Sequence, residues 1–336
     1  MRDIEEILII GGGGMVGQKL AHALVQAPLT PDTTSALTLM DLGFPPESPM
    51  GARQIIANVS DPAPLKAALA ERPAVIFHFA AIVSGQAEAD FDLGWEVNHM
   101  AFWRFLETVR HEHIASGGSY CPRVVFTSSI AVFGGPYPEV IDDGFPPAPL
   151  TSYGAQKAAC ELMLADFSRK GFLDGIAIRL PTICVRPGKP NKAASGFFSG
   201  IIREPLNGQD AVLPVGTDVR HWHASPASAV GFLRHAARLD TGQLGQRRAL
   251  NLPGVSCTVE EQIEALRDVA GNDVLALIKP QPDPTIEAIV AGWPRNFAPE
   301  RALALGFTAD ADFRSIIEAY IRDDLAPEQA QRLRLR

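Results

Sequence analysis

Cysteine is scarce and scattered in this chain. The four present, Cys121, Cys160, Cys184 and Cys257, form no CxxC pair and no disulfide framework, so a reducing, cytoplasmic location is expected. No apolar run is long enough to span a bilayer, and Asp3, Glu5 and Glu6 stand where a secretory signal would need basic residues. Neither export nor membrane anchoring is expected. Excess positive charge is absent too: 30 Lys and Arg against 38 Asp and Glu give a formal net charge of −8, which argues against a broad nucleic-acid or anionic-membrane surface. The local basic run at Arg332, Arg334 and Arg336 reads as a solvated tail. There is no repeat of solenoid period, and no low-complexity tract separates two halves.

What is present is ordinary for a globular enzyme: 336 residues, 46% apolar and 20% charged, enough for a nucleotide-binding domain and a lesser second lobe. Continuous apolar runs at 7–10, 37–40, 74–81, 124–126 and 176–178 alternate with helix-like stretches such as 16–26 and 102–111. Uninterrupted apolar runs suit strands buried on both faces, so the expected class is α/β: a doubly wound parallel-sheet Rossmann domain with a smaller, mainly helical substrate-binding lobe. After residue 178 the chain turns rich in Pro, Gly and cations, which marks departure from the sheet. A helical stretch at 226–239 and an apolar run at 249–252 mark a return. The expected division is 1–180 plus about 222–252 for the NAD-binding unit, and about 181–221 plus 253–330 for the substrate lobe.

Gly11, Gly14 and Gly17 follow the first strand at once and open a helix, where bare backbone N–H groups can meet a pyrophosphate. Gly12, Gly14 and Gly17 also satisfy GxGxxG, so the glycines alone leave the Rossmann subtype open. Asp41 ends the second strand and can accept hydrogen bonds from both adenosine ribose hydroxyls. Residues 42–50 offer no Arg or Lys for a 2′-phosphate, so NAD is the expected cofactor.

Tyr153 and Lys157, four apart in a helix-compatible stretch, share one face. A tyrosine base at neutral pH needs a nearby cation, and Lys157 is the expected one. Ser129, at the end of the run 124–127, is placed to hold a substrate oxygen.

The order of glycine turn, acidic second strand, strand-end Ser and YxxxK resembles the extended short-chain dehydrogenase/reductase superfamily. The likeness runs from the glycines to about Pro187 and includes His78-Phe-Ala-Ala and Thr127-Ser-Ser-Ile-Ala-Val-Phe-Gly. It implies that Ser129, Tyr153 and Lys157 carry catalysis. It further implies that Met15 and Val16 meet the cofactor beside the glycines, Asn58 and Val59 meet adenine, Phe79, Ala80 and Ala81 line the cofactor channel, Asn98 braces the site, and Pro181 and Thr182 close on the cofactor. Thr182 departs from the Asn that nucleotide-sugar enzymes of this superfamily commonly carry there, which weakens a nucleotide-sugar reading.

Residues 187–205 and 219–226 resemble the D-erythronate dehydrogenase family, which oxidises the C2 hydroxyl of a four-carbon sugar acid with NADH formed. A carboxylate substrate needs a counter-charge, and Lys192 and Arg220 are the expected anchors, with Asn191 and Ser84 as hydroxyl partners. Arg186 and Lys189 are further candidates for that anchor, although any single Lys or Arg is more commonly a surface cation. The pairs His111/His113 and His221/His223 lack the further ligands of a zinc site, so no metal is expected. Helices near 102–111 and 152–168 resemble those by which the superfamily forms homodimers. The competing readings are a nucleotide-sugar epimerase or dehydratase, and a non-catalytic NAD-sensing regulator.

Overall fold

The computed structural model describes residues 6–30, 36–188 and 194–333. Its strands in chain order are β1 (Glu6–Ile10), β2 (Ala36–Asp41), β3 (Arg53–Ile56), β4 (Val75–His78), β5 (Arg123–Ser129), β6 (Ile141–Asp142), β7 (Asp174–Leu180), β8 (Thr182–Ile183), β9 (Ala211–Leu213), β10 (Arg220–Ala224), β11 (Ala249–Asn251), β12 (Val255–Thr258), β13 (Ile278–Pro280) and β14 (Phe297–Ala298). Seven form one parallel sheet in the order β11-β7-β5-β4-β1-β2-β3. The apolar runs form this sheet because strands of a doubly covered parallel sheet bury both faces. Side-chain alternation divides β1 between two layers. Ile7 and Ile9 pack with Leu20, Leu24, Phe232 and Leu233 on one side, and Leu8 and Ile10 with Phe102, Phe105, Leu106 and Leu164 on the other. Strand order reverses about β1, so the crevice at the carboxyl ends of β1, β2 and β4 is where such a fold receives a ligand.

The chain leaves the large sheet after β7. β8, β10 and β12 form a separate three-stranded sheet beside a third core built around Phe198, Ile201, Ile202, Leu266, Phe313 and Ile317. Helix Pro226–Arg238 then packs back on the large sheet; Ser225 caps it by accepting a hydrogen bond from the Ser228 N–H at 3.0 Å, and Pro226 sits where its missing N–H costs nothing. Among the described residues no helix is long and apolar enough to cross a membrane.

Candidate active site

Two cavities meet at the carboxyl ends of the central strands. The first is lined by Gly11, Gly14, Asp41, Asn58, Val59, Phe79, Ala80 and Ala81, so eight of the expected cofactor residues are brought together. Gly14 caps helix Met15–Gln26 in an extended conformation without a side-chain cap, and the N–H groups of Met15, Val16 and Gly17 have no acceptor among the described residues. A Cβ added to Gly14 would meet only Gly11 O, at 3.5 Å, and would otherwise occupy the cleft. This cradle of bare N–H groups at a helix amino terminus fits a dinucleotide pyrophosphate. Gly17 lies beneath, packed on Gly11 and Gly12. The Asp41 carboxylate accepts from Gly13 N–H at 2.8 Å and Leu42 N–H at 2.7 Å, which fixes its orientation at the cavity edge and leaves lone pairs for ribose hydroxyls.

The second cavity, about 330 Å³, shares Phe79, Ala81 and Ile82 with the first. Ser84, Ser129, Tyr153, Lys157, Pro181 and Thr182 all line it, as expected. Ser129 Oγ accepts from Ala131 N–H at 3.1 Å, which leaves its hydrogen to donate into the cavity. Tyr153 opens helix Ser152–Arg169, capped by Thr151 Oγ1, which accepts from Gly154 N–H at 3.1 Å. Gly154 is needed there because a Cβ would stand 2.1 Å from Ala131 O, so the residue after the tyrosine lets the helix close on the turn that follows β5. One turn on, the Lys157 ammonium is buried, donates to Thr127 O at 2.9 Å and lies 4.6 Å from the Phe126 ring centroid and 5.7 Å from that of Tyr153. Burial pulls its pKa down to about 8.

Three placements differ from expectation. Burial pushes the Tyr153 phenol up to about 12, and the cation that opposes this is Arg186, because the Lys157 ammonium is turned toward the Thr127 carbonyl. Arg186 therefore belongs to the cavity wall rather than the surface. Its Nε donates to Ile183 O at 2.9 Å, and no carboxylate pairs with it among the described residues. Arg220, expected as an anchor, does not line the cavity: its guanidinium donates to Ser256 O at 3.1 Å and pairs with Glu261 at 3.2 Å. Alternation along β10 is the reason, since His221 turns to the cavity and its neighbour must face away. Asn98 lines neither cavity. Its side chain accepts from Ile82 N–H and donates to Gln156 Oε1, both at 2.8 Å, and so braces the cavity wall against the Tyr153 helix. Asn191 and Lys192, with Lys189, lie outside the described residues.

Sequence reasoning missed Ser195, Trp293 and Pro294 on the cavity wall. No local pattern signals the last two, which arrive from more than a hundred residues beyond β7 through tertiary packing. Among the described residues no three His, Cys, Asp or Glu side chains stand together as a metal site. His221 and His223 pack on Phe198.

A parallel sheet with its order reversing at β1, an acidic β2 end beside a bare glycine turn, and a Ser, Tyr and Lys set at the β5 end define an NAD-dependent oxidoreductase acting on CH–OH groups. The chain belongs to the NAD dependent epimerase/dehydratase family, whose model matches residues 7–247. It is 47% identical over 94% of its length to a D-erythronate dehydrogenase of Cupriavidus necator, covering 98% of that protein. A D-erythronate dehydrogenase of Haemophilus influenzae is 43% identical over 95% of this chain and 100% of its own. A crystal structure described as a nucleoside-diphosphate-sugar epimerase from Agrobacterium tumefaciens superposes with a TM-score of 0.91 at 52% identity, covering 97% of each chain.

Proposed function

We propose that the protein oxidises the C2 hydroxyl of a small sugar acid, D-erythronate, to 2-dehydro-D-erythronate, with NADH formed. The observation that carries this reading is Arg186, a cation without a carboxylate partner among the described residues, on the wall of a small cavity that also holds Ser129 and Tyr153. A guanidinium so placed suits a carboxylate, which it can grip through two parallel hydrogen bonds. The names of the two D-erythronate dehydrogenases support the same substrate.

Gly11, Gly14 and Asp41 would hold NAD, which when bound would supply the acceptor for the C2 hydride. The chain's own groups do the rest. Arg186 holds the carboxylate, with Ser84 as a hydroxyl partner; Ser129 donates to the C2 oxygen, and the Tyr153 phenolate takes the hydroxyl proton. With its pKa near 12 the phenol is protonated at neutral pH, the form that donates to a ketone in the reverse reduction; oxidation uses the phenolate, favoured by the positive charge of Arg186. Asn191 and Lys192 stay candidates for the remaining hydroxyls and charge. The cofactor unit is read as 1–180 plus about 222–252 and the substrate lobe as about 181–221 plus 253–330. A cytoplasmic location fits the buried thiols of Cys160, Cys184 and Cys257. A homodimer fits Trp103 and Leu162, exposed on the two helices that carry them.

The test is NADH formation across three- to six-carbon aldonic acids, with D-erythronate expected to give the highest kcat/KM. An epimerase would instead interconvert a nucleotide sugar with no net NADH, and that result would overturn the reading. Arg186→Met should cut kcat/KM for the acid by roughly 30-fold or more, the effect of about 2 kcal/mol lost when a desolvated carboxylate loses its charged partner. The KM for NAD should not move.

A further inference from the structure

Thr182 and His221 form a hydrogen-bonded pair on the cavity wall whose direction is fixed. Thr182 on β8 stands in register with His223 on β10, so His221 is its diagonal neighbour. His221 Nδ1 lies 3.0 Å from Pro294 O, a carbonyl that can only accept, so Nδ1 carries the hydrogen. The ring is 2% exposed and lies parallel to Phe198, with centroids 5.3 Å apart, and 5.1 Å from Trp293. Burial pushes its pKa down to about 4, so it is neutral and Nε2 is bare. Nε2 lies 2.7 Å from Thr182 Oγ1 and must accept from it. The one hydrogen of the Thr182 hydroxyl is thereby committed, and toward the cavity that oxygen offers lone pairs alone.

We infer that Thr182, locked by His221 as an acceptor-only group, reads a neutral hydrogen-bond donor in the cavity, a substrate hydroxyl beyond C2 or the cofactor carboxamide N–H, and turns away a carboxylate. The cavity then carries opposite polarities. Arg186 is donor-only and takes the carboxylate end, while Thr182 repels it, which sets a sugar acid in one orientation. The substrate half of this inference rests on the hydroxy-acid reading above. The departure from Asn at this position acquires a physical meaning: an amide can turn to donate or accept, whereas this pair cannot.

The experiment compares Thr182→Val and Thr182→Ser with the wild type on D-erythronate, on 2-hydroxybutyrate, which keeps the carboxylate and C2 hydroxyl but lacks the others, and on NAD. If a substrate hydroxyl is read, the Val variant loses on the order of tenfold in kcat/KM on D-erythronate with 2-hydroxybutyrate and the KM for NAD unchanged, and the Ser variant restores it. If the carboxamide is read, both acids lose equally and the KM for NAD rises. A Val variant equal to wild type in every measurement overturns the inference. Nitrogen-15 NMR of the His221 ring gives a readout that needs no substrate: a neutral Nδ1–H tautomer at pH 6 is expected, and an Nε2–H or doubly protonated ring overturns it. Should the wild type turn over no aldonic acid, the functional reading fails while this spectroscopic arm still decides the pair.

Discussion

Acidification should expose His78 as a titrating weak point near Lys157. His78 ends β4, is 1% exposed, and has its ring 4.9 Å from Phe102 and 5.1 Å from Phe105 between centroids; neither ring nitrogen has a hydrogen-bond partner among the described residues. Burial, with the Lys157 charge adding to it, pulls its pKa from 6.5 down to about 3. Between those values the unfolded chain binds a proton that the folded chain refuses, so stability falls as pH drops below 6.5 and the loss is complete only near 3. Each pH unit is worth about 1.4 kcal/mol, hence about 2 kcal/mol between pH 6.5 and 5, and about 5 kcal/mol over the whole span as an order of magnitude.

Urea unfolding of the wild type and of His78→Leu, followed from about pH 7.5 to 5, isolates this group because every other histidine is common to both. Leucine matches the apolar surroundings and cannot titrate. Wild-type stability relative to the variant should fall by about 1.4 kcal/mol per unit below pH 6, and the variant should be the less acid-sensitive protein. A difference that stays flat across this range would refute the reasoning, since it would mean that the folded and unfolded imidazoles bind protons alike.

Tyr153→Phe deletes the phenolic oxygen and keeps the ring, so kcat should fall by roughly 10²- to 10⁴-fold while NAD affinity, read by fluorescence titration, stays put. Near-normal turnover would remove this phenol from the chemistry. Asp41→Ala removes the acceptor that Gly13 N–H and Leu42 N–H share; the KM for NAD should rise and discrimination against NADP should relax. Unchanged selectivity would place the ribose elsewhere.

The central sheet was legible because burial on both faces leaves its mark as unbroken apolar runs, and all five runs read from the sequence lie in it, with 249–252 returning as β11. β3 was not legible: Arg53-Gln-Ile-Ile is a sheet-edge strand with mixed exposure and therefore no continuous apolar signature. The cofactor turn and the Tyr, Lys and Ser set could be read because their spacing is local to one turn or one strand end. The substrate wall could not. Arg186 is one candidate among several cations in a Pro-rich stretch, with nothing local to single it out, and only tertiary packing turns it inward beside Tyr153. Alternation in Arg220-His-Trp-His-Ala did hold the information that Arg220 and His221 face opposite ways, a signal the period-two rule could have supplied.

Why these separately encoded pieces meet in register follows from a buried ion pair beneath the cavity. Tyr153, Lys157 and Glu161 lie four residues apart along one face of helix Ser152–Arg169. Glu161 accepts from Ser128 Oγ at 2.5 Å and pairs with Arg179 at 2.7 Å. Arg179 in turn donates to Asn251 Oδ1 at 3.1 Å and lies 4.9 Å from the Phe133 ring. One carboxylate thus ties the helix to β5, β7 and β11 together. A buried pair of this kind adds little net stability over an apolar substitute, because desolvation offsets the attraction, whereas losing one partner is costly. Its effect is therefore geometric. A helix free to slide on the sheet would carry the phenol and ammonium away from Ser129, and the carboxylate at the third position of the same stripe is what fixes the first two.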